Sequence, residues 1–204
     1  MSLFNHLLCG LLVITVSGCG ALGAVDEAAA PLDAFTLGAI DGADVAGTDL
    51  HIVVEMTESA GALATDRILI KPNPIQAQYL PAGRWTDPAP VLMQTLLITS
   101  LQNSGGFLRV GRNGAGLLPD YTVLSDLQDF QAEAAADGSL TWSVTVRLSL
   151  SIVRESDRRI IGTRQFTASA PAATDDTAAL VNAFHTAVSE ILGDGVAWVL
   201  GQTR

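Results

Sequence analysis

Positive charge is scarce in this chain. Eleven Lys and Arg stand against 21 Asp and Glu, giving a formal charge of -10 and an isoelectric point near 4.5. Such a chain would gather cations around itself instead of releasing them from a phosphate backbone, so no nucleic acid is expected as a partner. Histidine and cysteine are scarcer still, at three and two residues. That leaves little material for a metal centre or a cysteine nucleophile, and no His-x-x-x-His spacing occurs, so no metal ligand is assigned. The Gly-x-Ser-x-Gly pattern of a nucleophile elbow is absent, and Ser104-Gly105-Gly106 reads as a helix stop. Aromatics are only 5%, yet 49% of the chain is apolar and 16% charged, which is too apolar for a disordered protein. No catalytic constellation emerges, and the expectation is a protein without enzymatic activity.

What is present begins before Asp26, the first charged residue. Leu7 to Val16 is an apolar run of the length of a secretory h-region and too short for a bilayer-spanning helix, which needs roughly 20 residues. Val16-Ser17-Gly18-Cys19 follows it and resembles the bacterial lipobox. That resemblance implies a diacylglyceryl group on the Cys19 thiol, cleavage ahead of Cys19, and an N-acyl chain on the new terminus. Val16, Ser17 and Gly18 would fit the extended backbone into a narrow peptidase site. Met1–His6 departs from the usual signal in lacking Lys and Arg, and the alternative it leaves is an uncleaved anchor from Leu3 to Val25. Gly20, where an Asp would signal inner-membrane retention, points to the outer membrane. Each buried methylene contributes about 0.8 kcal/mol, so three chains on one cysteine hold firmly. With Cys9 removed and Cys19 acylated, no disulfide remains, and the domain must be stable by its core alone. Gly18-Cys19-Gly20-Ala21-Leu22-Gly23 matches a dinucleotide fingerprint by letter only, since no strand precedes it and an Ala/Pro-rich stretch follows.

The division expected is a lipoprotein signal peptide over 1–18, a lipidated tether over 19–33 and an α+β domain over 34–204. Leu50–Met56, Arg67–Lys71 and Ile75–Leu80 read as short strands, the last two separated by Pro72 and Pro74. Asp87-Pro88 reads as an N-cap with proline at N1 of a helix running from Ala89 to Leu101, closed by Gly105. Apolar groups on more than one face of that helix imply burial on two sides or a partner surface. Leu140 to Ile152 alternates apolar and polar without a break, which predicts a long antiparallel strand with one wet face. Asp137-Gly138 predicts the hairpin before it, and Ser156-Asp157-Arg158 the turn after it. The partners are about Tyr121–Glu133, with a bulge near Asp126, and Arg159–Ala170. Thr174-Asp175-Asp176 caps a last helix with Leu180, Val181, Phe184, Val188, Ile191 and Leu192 on one stripe, weakened at Gly193 and Gly195. The fold class is therefore α+β, a single antiparallel-rich sheet with two helices packed mainly on one face.

The middle of the chain carries a family resemblance. Asp66-Arg67-Ile68-Leu69-Ile70-Lys71-Pro72-Asn73-Pro74, Tyr79, Arg84-Trp85-Thr86-Asp87-Pro88 and Gly105-Gly106-Phe107-Leu108-Arg109-Val110 occur in the order of the ABC-type transport auxiliary lipoproteins, the PqiC-like family. Phe35-Thr36-Leu37 also resembles the aromatic-Thr-Leu that follows the tether in that family. The resemblance implies a non-enzymatic, lipid-anchored protein of the outer membrane, facing the periplasm. Its partners would be an MCE-domain protein and the ABC-type lipid transporter that protein serves, with self-association left open. It implies no cofactor beyond the diacylglyceryl and N-acyl lipid on Cys19. The alternative is a periplasmic lipid carrier with an apolar groove between the sheet and the helix Ala89–Leu101. Tyr79, Arg84 and Trp85 are the candidate partner-binding residues, each with a plainer reading. Tyr79 could pack on the sheet, Arg84 could lock its loop internally, and Trp85 could close the end of the core.

Overall fold

The computed structural model describes residues 31–42, 45–114, 116, 118–135 and 141–204. In chain order its elements are β1 (Asp33–Phe35), β2 (Thr48–Val54), β3 (Glu58–Ser59), β4 (Arg67–Asn73), β5 (Gln76–Trp85), α1 (Ala89–Asn103), β6 (Phe107–Arg112), β7 (Tyr121–Ala134), β8 (Trp142–Arg154), β9 (Arg159–Ala172) and α2 (Thr177–Gln202). Asp33–Arg204 forms one compact unit. The turn expected at Asp137-Gly138 lies outside the described residues, as do Val16, Ser17, Gly18 and Cys19.

Strand β7 organises the sheet. One edge pairs antiparallel with β8 along its whole length, and β8 pairs antiparallel with β9. Val144, Val146, Leu148, Leu150 and Ile152 are fully buried toward the helices, while Ser143, Thr145, Arg147, Ser149 and Ser151 remain partly open. The period-two pattern had fixed which side chains of this ribbon are dry. The bulge falls between Leu127 and Asp129, leaving Gln128 as the extra residue, close to the expected slip at Asp126.

The other edge of β7 adds parallel pairing that the expectation of an antiparallel-rich sheet did not include. Three strands pair with it in parallel, β2 at its start, β3 at its middle and β4 near its end. Strand β6 joins β2 in parallel and β1 joins β5 in parallel, while β4 and β5 form an antiparallel hairpin. The nine-stranded sheet is thus mixed. Parallel pairs need long crossovers, by way of α1 for those of β2, β3 and β4 with β6 or β7 and by way of β2–β4 for β1 with β5, and no tight-turn signal in the sequence marks such a pairing. Between the β2 and β4 branches the backbone of Phe130 is served by its neighbour, whose side-chain Oε1 (Gln131) accepts from the Phe130 N–H at 2.8 Å.

Helix α1 starts at Ala89 as expected and runs two residues past Leu101, but its cap differs. Pro88, not Asp87, occupies the N-cap position and makes no side-chain cap, with a further proline, Pro90, in the first turn. Its apolar groups are dry on two sides for a definite reason. The sheet covers one side, and the segment 36–42 crosses the other, with the Ile40 N–H donating to Ser100 Oγ at 3.3 Å and Asn103 Nδ2 donating to the Ile40 carbonyl at 2.8 Å. Helix α2 runs unbroken through Gly193 and Gly195. A Cβ on Gly195 would sit 3.2 Å from Leu150 Cδ1, so this glycine lets the helix lie close on β8.

Asp176 caps α2, its carboxylate accepting from the Ala179 N–H at 2.9 Å and from the Thr174 hydroxyl. The Thr174 hydrogen bond, then the backbone N–H of Ala179, holds this carboxyl below the ordinary aspartate range. A depressed folded-state pKa gives stability that is present above the unfolded value and is lost as pH falls through the folded one. Thermal melts should therefore show Asp176→Ala less stable than the parent at neutral pH, the difference closing on acidification below about pH 4. Asp176→Asn, which keeps an acceptor at every pH, should lose less at pH 7 and lack that acid-dependent component. An Asp176→Ala melt equal to the parent at pH 7 contradicts the cap.

Candidate partner interface

Strand β5 carries all three candidate residues, and the structure gives them different fates. Tyr79 is 41% exposed, pairs in register with Leu69, and donates its hydroxyl to the Ala62 carbonyl at 3.2 Å. The Arg67 guanidinium lies 5.8 Å from its ring centroid and also donates to the Leu80 carbonyl at 3.2 Å. Tyr79 is thus held in place yet keeps a face open to a partner.

Arg84 is half-buried. Its Nη1 lies 3.3 Å from Asp66 Oδ2 and 3.4 Å from the Trp85 carbonyl. The same loop is tied again by backbone bonds, Trp85 N–H to the Asp66 carbonyl at 2.6 Å and Ala89 N–H to the Thr65 carbonyl at 3.0 Å. Arg84 locks the approach to α1 and offers a partner only the outer part of its guanidinium.

Trp85 has no exposed surface. Its ring packs at 5.1 Å edge-on to Phe184 of α2 and 5.4 Å from Phe130 of β7, and those two rings lie 4.8 Å apart. The three join sheet and helix at the centre of the core, and the indole N–H has no hydrogen-bond acceptor there. A partner cannot reach this ring in the described fold, so its surface role is corrected to a core role. The sequence signal, Arg-Trp before a proline, did not distinguish the two because the packing of the end of β5 against β7 and α2 is set by distant residues.

The first strand is joined to the sheet in the same place. Phe35 of β1 pairs with Trp85, and the Thr86 N–H donates to the Phe35 carbonyl at 2.8 Å. Strand β1 is short and lies at the edge of the sheet beside β5.

Two surface clefts lie elsewhere. One of about 500 Å³ is bordered by Leu50, Leu118, Asp120, Tyr121 and Arg154. The second, about 530 Å³, is bordered by Glu55, Met56, Glu58, Leu124 and Asp126 on the sheet face opposite the helices. Arg154, at the border of the first, forms an ion pair at 2.8 Å with Asp157, and this hydrogen bond raises the guanidinium pKa and lowers that of the carboxyl. Among the described residues no group of His, Cys, Asp and Glu is arranged to hold a metal. His51 is engaged through its backbone with Asp120, and His185 sits exposed on α2.

An α+β domain of a mixed sheet and two helices, with Asp33–Phe35 as a parallel edge strand, is what the described residues fold into. Residues 35–194 match the family of ABC-type transport auxiliary lipoprotein components, and the chain belongs to that family. No curated protein matches it. Its fold is similar to that of protein XCC0632 from Xanthomonas campestris, at 24% identity and a TM-score of 0.76 over 85% of this chain and 96% of that one. It is also similar to the hypothetical protein CT253 from Chlamydia trachomatis, at 9% identity and a TM-score of 0.52 over 76% of this chain and 98% of that one. As an auxiliary component of an ABC-type transport system the protein is envelope-associated and has a transporter as its partner. Among the described residues no helix is long and apolar enough to cross a membrane.

Proposed function

We propose that this protein is an outer-membrane lipoprotein, acylated at Cys19, that docks the envelope-spanning MCE-domain protein of an ABC-type lipid transporter without chemistry of its own. The observation that carries the reading is the family match across residues 35–194. Two features support it. Val16-Ser17-Gly18-Cys19 supplies the residues a lipoprotein peptidase needs. Strand β1 starts at Asp33, so a tether of 19–33 would lead directly into the sheet. Extended at about 3.3 Å per residue, it would let the domain stand roughly 40 Å from the membrane.

The carrier reading needs a hollow between the sheet and α1. That space is filled by Leu92, Met93, Leu96, Leu97 and Leu101, all buried to 4% exposure or less. Close packing of this kind favours the docking reading over the carrier one.

Affinity purification of the full lipoprotein from membranes in mild detergent should bring down an MCE-domain protein of an ABC-type transporter. Recovery of the lipoprotein with no MCE-domain protein overturns the docking reading.

A further inference from the structure

The sheet ends on one side at β9, which spans 14 residues. It pairs with β8 and with no other strand among the described residues. Exposed edges of that length are sites for adding another strand, and proteins blunt them with bulges, prolines or covering elements. Here the blunting lies at the ends. The register shifts between Ile160 and Gly162, and Pro171 stands near the other end, while Thr163–Ala170 pairs with β8 without interruption. Thr163, Arg164, Gln165, Thr167 and Ser169 are exposed along this stretch.

Charge along the edge is unlike that of the rest of the chain. From Arg158 to Thr174 there is no Asp or Glu, but there are three Arg, in a protein whose acids outnumber its bases 21 to 11. Arg158 is paired with Glu155 at 2.8 Å, and Arg159 lies beside Asp157. Arg164 has no carboxylate partner among the described residues. Its guanidinium stands 5.1 Å over the Phe166 ring, which is packed at 5.9 Å on Trp198 of α2. The cation is therefore held at the edge by stacking, pre-oriented and unneutralised.

We infer that β9 receives an extended acidic segment of a partner protein as a further strand, with a partner carboxylate on Arg164. This rests on the docking reading above. Backbone bonds to Thr163–Ala170 would give affinity, and Arg164 would select for acid. A second copy of this chain fits less well, because its own β9 brings no carboxylate to Arg164.

The test uses the full lipoprotein in detergent with the soluble periplasmic part of its MCE-domain partner. Binding should slow hydrogen exchange of alternate amides between Thr163 and Ala170, those not bonded to β8, by about tenfold or more. Arg164→Glu should weaken binding about tenfold, and Arg164→Lys much less. A complex that forms with unchanged β9 exchange, and that Arg164→Glu binds as the parent does, overturns the edge while sparing the docking reading. No complex at all overturns both. Slow β9 exchange in the free chain at dimer mass assigns the edge to a second copy. Slowing by phosphatidylglycerol vesicles but not by the protein assigns it to lipid. Either of these results also overturns the inference.

Discussion

Trp85→Ala lowers the unfolding free energy by about 3–5 kcal/mol, the range for truncating a buried aromatic. Trp85 is 0% exposed and lies within 5.4 Å of both Phe130 and Phe184, so its loss opens a void where β5, β7 and α2 meet. Neither neighbour can close that void without leaving the other, because they are packed on each other at 4.8 Å. Trp85→Phe should cost roughly half as much or less, since it keeps a ring in place and removes an indole N–H that has no acceptor. Urea unfolding followed by far-ultraviolet circular dichroism separates the two variants. Trp85→Phe should also bind the proposed MCE-domain partner as the parent does, because no part of that ring reaches the surface. A loss below about 1 kcal/mol for Trp85→Ala would place the organising contact of the core elsewhere.

The adjacent glycines after α1 should fail for different reasons, and the second more severely. Gly105 has φ of +66°, so Gly105→Ala costs about 1–2 kcal/mol in backbone strain alone, with nothing near its Cβ. A Cβ on Gly106 would lie 2.2 Å from Leu200 Cδ2 on α2, with Ser104 Oγ and Val45 Cγ2 each 3.5 Å away. Leu200 is itself 7% exposed and cannot swing freely into solvent. The Gly106 carbonyl also accepts from the Thr48 N–H at 3.0 Å and the Thr48 hydroxyl at 2.8 Å, so moving it loosens the start of β2. Gly106→Val should cost about 3 kcal/mol or more, the upper end for overpacking. The steric origin has a signature: the penalty of Gly106→Ala should shrink in a Leu200→Ala background, a coupling that melts of the four variants would reveal. Equal penalties in both backgrounds contradict the contact.

These glycines also show how far the sequence can be read. Gly105 as a helix stop was legible, because a terminal glycine answers to local backbone geometry. The need for glycine at 106 comes from Leu200, nearly a hundred positions away, and no local pattern encodes it. Gly195 shows the same thing: it reads as a weak point of α2 until Leu150 is seen beneath it. The β7–β8–β9 ribbon was legible because alternation separates wet and dry residues along the strand itself. The parallel partners of β7 were not, because crossovers through α1 leave no turn signature. Of the candidate interface, Tyr79 keeps open surface, Arg84 keeps part, and Trp85 keeps none. The edge of β9 was written in the sequence as a stretch without acids, but its meaning required knowing that no strand among the described residues lies beyond it.

Mass spectrometry of the N-terminal peptide from membrane-extracted protein tests the central claim most directly. The account predicts that the mature chain begins at Cys19, carrying a thioether diacylglyceryl group and an N-acyl chain, and that Cys19→Ser abolishes the modification and frees the domain from membranes. An unacylated Cys19 in a chain still beginning at Met1, with Cys19→Ser remaining membrane-bound, contradicts it.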